Sequence, residues 1–256
     1  MTAARLRAIG QAMGQGHWLA FYALVLAAWA LLYAMQLPPD LAAAARLFGP
    51  ELWEALCTVE PGMAGAPTVF LMWAAMAAGM MAPTVVPALA TYDDLRAAGA
   101  GSTAGFGWLT AGYLAVWLGF AALASGAQIA LSGAGLLTPL GASASVWLTA
   151  SLLALAGLWQ LSAVKAACLT RCRAPLTFFM AHWAEGPWRM GLRLGLTCLG
   201  CCWALMALAF VGGTMNLAFM GGAMLLMTLE KLPLGRPLTR PLGVALLLAA
   251  VAIPVL

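Results

Sequence analysis

The sequence predicts an all-α protein, a polytopic transmembrane helix bundle of about seven spans with its N-terminus on the cytoplasmic side. Three observations lead there. The 256 residues are 64% hydrophobic and only 8% charged, against roughly 25% charged in a soluble domain, and mean hydropathy is +0.95. Apolar stretches near the ~20 residues that cross the hydrocarbon recur along the chain. The basic residues also divide unevenly between the loops those stretches define: Arg5, Arg7, Arg96, Lys165, Arg171, Arg173, Arg189, Arg193, Lys231, Arg236 and Arg240 fall on one side, and Arg46 alone on the other. Lys and Arg collect on the cytoplasmic side, so the net charge of +4 reads as a topology signal. The partner it implies is a lipid bilayer, of the bacterial inner-membrane type, and no nucleic acid.

The first span is read at 18–37. Arg5 and Arg7 ahead of it imitate a secretory signal, but the apolar run is longer than an h-region of 7–15 residues. Trp18, Tyr22, Trp29 and Tyr33 suit membrane interfaces. Loop 38–65 carries Asp40, Glu51, Glu54, Glu60 and the isolated Cys57. It reads as an amphipathic connector, with an acidic vestibule for cations as the sharper alternative.

The second span, 66–90, contains Pro83 and Pro87, which membrane helices tolerate when neighbours satisfy the freed backbone groups. Tyr92, Asp93, Asp94 and Arg96 follow as a solvated turn. Spans at 108–131 and 146–165 flank the uncharged loop 132–145. Loop 166–193 is the densest polar region, and its 175–188 portion is an amphipathic piece over the bundle end. Spans at 194–211, 214–230 and 241–256 complete a single membrane domain over 1–256.

Five of the six cysteines lie between Cys168 and Cys202. Cys168 and Cys172 are four apart, and Cys198, Cys201 and Cys202 form a C-x2-C-C cluster. On helices both spacings place the sulfurs on one face. Met76, Met80 and Met81 share the second span with Met72. Thiolate and thioether ligands together select Cu(I), and cysteine alone also suits Zn. His182 and Glu230 are candidates to complete the ligand set, although Glu230 beside Lys231 also reads as an interfacial ion pair. Packing is the bland alternative for the methionines, which fill gaps between helices. A dithiol oxidoreductase competes through Cys198-x2-Cys201, but a reducing cytoplasm disfavours it.

The run Met72-Trp73, Met76, Met80-Met81-Ala82-Pro83 resembles a motif of a family of predicted metal-binding integral membrane proteins of unknown function. Trp159-Gln160-Leu161, Lys165, Cys168, Cys172-Arg173 and Pro175 extend the resemblance. His182-Trp183, Cys198-Leu199-Gly200-Cys201-Cys202-Trp203, Met215-Asn216-Leu217 and Glu230-Lys231 carry it to about residue 236. Members of that family often have a histidine just before the cysteine cluster, where this chain reads Arg193-Leu194-Gly195-Leu196. The resemblance implies metal binding and brings no reaction with it. The expected function is soft-metal handling, Cu(I) before Zn, or supply of the ion to a membrane enzyme. The alternative of another class is a non-catalytic subunit of a larger membrane complex whose cysteines serve packing. No Ser/His/Asp set, phosphate-binding glycine loop or carboxylate dyad suggests an enzyme.

Overall fold

The computed structural model describes residues 16–35, 65–214, 216–232 and 237–255. Loop 38–65, with its acidic residues and Cys57, lies outside the described residues apart from Gly65. Ten α-helices follow one another in the described residues: α1 Gly16–Ala34, α2 Ala66–Ala97, α3 Thr103–Gly133, α4 Val146–Leu161, α5 Ala163–Arg173, α6 Pro175–His182, α7 Pro187–Ala207, α8 Ala209–Gly212, α9 Leu217–Lys231 and α10 Thr239–Ala252. A 3₁₀ turn, Trp183–Glu185, joins α6 to α7. The all-helical class is as the composition predicts.

The number of spans is not. Among the described residues, four helices are long and apolar enough to cross a membrane: α1, α2, α3 and the stretch Pro187–Gly212. The region read as one span at 146–165 is broken at Ser162. There the backbone turns extended (φ −71°, ψ 147°) and the hydroxyl accepts from Lys165 N at 3.1 Å. Serine competes well for a helix N-cap, so a new helix starts, bent by 61° from the last. This pair counts as a fifth span at most. α9 and α10 have 15 and 14 residues, roughly 22 Å at 1.5 Å per residue, short of the ~30 Å hydrocarbon thickness. With seven crossings gone, the alternation behind the uneven basic split goes too. The structure therefore gives no support for a cytoplasmic N-terminus.

α2 and the stretch Pro187–Gly212, most of it α7, form the centre of the bundle, with 67% and 61% of their most apolar parts buried against 22% and 28% for α1 and α3. α3 packs along α7, and α2 sits between α1 and α3. The α3–α7 approach depends on paired glycines. A Cβ on Gly112 would stand 2.4 Å from the Trp188 carbonyl oxygen, and one on Gly191 would stand 2.2 Å from that of Leu109. Small residues permit such crossings.

Pro83 leaves α2 unbroken. It lacks the N–H that would bond the Gly79 carbonyl, and Trp29 Nε1 of α1 donates to that oxygen instead, at 3.1 Å. One part of the sequence reading is corrected at the end of α2. Asp93 belongs to the last helical turn and is buried, accepting from Arg96 Nε at 2.7 Å and Trp18 Nε1 at 3.0 Å. His17 Nε2 lies 3.1 Å from the same carboxylate. The polar turn is a clasp between α1 and α2.

Candidate metal centre

Residues 198, 201 and 202 stand three and four apart on α7, so they share one face. It is the face that carries Met190, Leu194 and Leu205 into the bundle. The three thiols are buried and their sulfurs lie within 4.8 Å of one another. Cys201 Sγ is 3.1 Å from Cys202 Sγ, and its thiol donates to the Cys198 carbonyl at 3.0 Å. All five described cysteines are free.

The bend at Ser162 brings α5 against this face. Cys172 lines, with Cys198 and Lys231, a cavity of about 10 Å³. Cys168 Sγ rests on Gly200, where a Cβ would stand 2.7 Å from the sulfur. The Gly200 carbonyl accepts from Trp159 Nε1 at 2.9 Å. The two arms of the bent pair thus hold the same residue, the glycine within the cysteine cluster.

A polar shell surrounds Cys198. Lys231 Nζ donates to Cys198 Sγ at 2.9 Å and to Thr84 Oγ1 at 2.6 Å. The Tyr113 hydroxyl is 3.0 Å from the same sulfur and donates to the Met81 carbonyl at 2.9 Å. Thr84 also donates to Met81 O, at 2.8 Å.

Behind this shell is a second buried cluster. Lys165 Nζ donates to Glu230 Oε2 at 2.8 Å and to Gln160 Oε1 at 2.5 Å. Gln160 Nε2 donates to the other Glu230 oxygen. Arg173 donates from Nε at 2.9 Å and Nη2 at 2.5 Å to the Glu230 carbonyl. That carbonyl belongs to the last turn of α9, where no intrahelical donor remains, so Arg173 caps the helix.

Of the ten residues proposed from sequence, Cys172, Cys198, Cys201 and Cys202 are brought together, and Cys168 is set on Gly200 beside them. Met76, Met80 and Met81 are buried in α2; through Tyr113 and Thr84 it is the Met81 carbonyl that joins the shell. His182 is engaged elsewhere, with Nδ1 3.0 Å from Glu185 Oε1 and its ring against Phe178. Glu185 in turn accepts from Arg193, chiefly for which reason its carboxyl is held below the ordinary range. The Glu230 carboxylate is taken up by Lys165 and Gln160, so the expected pairing with Lys231 does not form. Lys231 turns to Cys198 instead.

Sequence reasoning missed Thr84, Tyr113 and the roles of Lys165, Gln160 and Lys231. A signal was available for the charged ones, because an ionisable residue inside an apolar helix is rare without a function. Thr84 and Tyr113 carried none.

The donor set suits a soft ion. Two sulfurs that share an ion at about 2.3 Å each, as thiolates do with zinc, are at most about 4.6 Å apart, so the existing spread needs only small side-chain adjustments.

A family model described as PpoB2, copper chaperone, matches residues 70–253. No curated protein and no solved structure matches the chain. The matched stretch includes every residue of both clusters.

Proposed function

The chain belongs to the copper chaperone family PpoB2, and from that premise we propose that it is a membrane-embedded carrier of Cu(I). Cys198, Cys201 and Cys202 hold the ion as thiolates, with Cys172 as an adjoining fourth sulfur and Cys168 next to it. The observation that carries the reading is the set of three buried thiols within 4.8 Å on one helix face. The bilayer position rests on the four apolar helices and the bent pair. Met76, Met80 and Met81 stay in the proposal as soft neighbours along α2, outside the thiol set.

A carrier must release what it binds. Burial falls from the α7 cysteines to the half-buried Cys168 and Cys172 of α5. Cu(I) can therefore move by exchanging one thiolate for the next, without entering water, toward an acceptor at the α5 side. Met-free thiolate coordination would also admit Zn; the family membership favours copper.

The test is elemental mass spectrometry of anaerobically purified protein beside the Cys201→Ser/Cys202→Ser double variant. About one equivalent of copper in the wild type and none in the variant is the expected result. Metal retained by the variant, or no copper in the wild type after anaerobic Cu(I) reconstitution, overturns it.

A further inference from the structure

We propose that Lys231 is a fixed counter-ion that matches this site to a three-thiolate Cu(I) centre. The inference rests on the copper reading and adds what sets the coordination number.

Lys231 is 7% exposed, and a buried ammonium must be paired. Among the described residues no carboxylate lies within ion-pair distance of it. Its sequence neighbour Glu230 is neutralised by Lys165. Its contacts are the Thr84 hydroxyl and the Cys198 sulfur. The Tyr113 hydroxyl nearby spends its proton on the Met81 carbonyl. The group placed to answer the Lys231 charge is therefore sulfur.

The charges of the two clusters extend the point. Lys165, Arg173 and Lys231 bring three positive charges and Glu230 one negative, since the Arg173 guanidinium meets a neutral carbonyl. Two positive charges have no carboxylate opposite them: Lys231, buried at the thiols, and Arg173, part-buried at the end of α9. Cu(I) held by three thiolates carries two negative charges; held by two thiolates it carries one. The three-thiolate centre cancels the residue left by the protein, and the two-thiolate centre leaves a net charge in a medium of low dielectric, where that is unfavourable. Zn(II) reaches the same balance only by recruiting a fourth thiolate, Cys172. Lys231 acts through Cys198, as a positioning residue.

The test uses the full chain, loaded anaerobically with Cu(I), as wild type, Lys231→Met and Lys231→Arg. Competition with a chromophoric Cu(I) chelator gives affinity, copper K-edge absorption gives the number of sulfur ligands, and thermal unfolding of the metal-free forms checks the fold. The wild type should show three sulfurs. Lys231→Met should bind about 10–100-fold more weakly, the usual effect of losing an outer-shell partner, and fall to two. Lys231→Arg keeps the charge and should keep the coordination number and most of the affinity.

Wild-type affinity and three sulfurs in Lys231→Met would overturn the proposal while leaving the copper site standing. Two sulfurs in the wild type would overturn it without recourse to any variant, which covers a Lys231→Met protein that does not fold. A wild type that takes no Cu(I) would instead overturn the copper reading itself.

Discussion

Replacing Lys165 by methionine should unfold this protein at a markedly lower temperature. The lysine is fully buried and Glu230 is 1% exposed; they meet at 2.8 Å between α5 and α9, with Gln160 at the end of α4 bonded to both. Removing one member of a buried pair leaves the other charge uncompensated and destabilises by about 3–5 kcal/mol. For a chain of this size, about 2–4 °C per kcal/mol makes that roughly 6–20 °C in Tm. The assay is thermal unfolding in detergent followed by tryptophan fluorescence. A second variant, Lys165→Met/Glu230→Met, removes both charges and should recover at least half of the loss, because an apolar pair of similar volume is often no worse than the ions. A Tm for Lys165→Met within about 2 °C of wild type, under 1 kcal/mol on that scale, would refute the reasoning. So would a double variant as unstable as the single one, which would mean that the lysine stem, and not its charge, was being measured.

Two further outcomes are expected. In Gly200→Ala the new Cβ meets Cys168 Sγ at 2.7 Å, so the sulfur must swing aside at about 1–3 kcal/mol of overpacking; peptide mapping after alkylation should show Cys168 labelled faster than in the wild type, and an unchanged rate would refute the contact. Trp29→Phe orphans the Gly79 carbonyl and should destabilise by about 1–3 kcal/mol. The same change in a Pro83→Ala background, where a backbone N–H is restored, should matter less, and equal losses in the two backgrounds would show that Trp29 acts only by packing.

Much of the site is legible in the amino-acid sequence. Spacings of three and four put Cys198, Cys201 and Cys202 on one helix face wherever that helix lies, and soft sulfur donors point to Cu(I) or Zn whatever the fold. The match to a copper chaperone family fits the copper reading. The span count failed for a local reason: hydropathy averages over a window, and Ser162, which ends α4 and caps α5, is one residue in an apolar run. Asp93 reads as solvated from sequence because its partners His17 and Trp18 are 76 and 75 residues away in the chain. Glu230 and Lys231 read as a pair because they are adjacent, yet adjacent helical residues point in different directions.

By itself, then, the sequence determined what periodicity and side-chain chemistry determine: helices throughout, an apolar surround, and three thiols on one face of α7. Only the tertiary structure decided which charges answer which. Lys165 reaches Glu230 because a 61° bend redirects α5, and Lys231 reaches Cys198 across 33 residues of chain. Ion pairing in a medium of low dielectric depends on separations of a few ångströms between helices, and no pattern along a single helix encodes them.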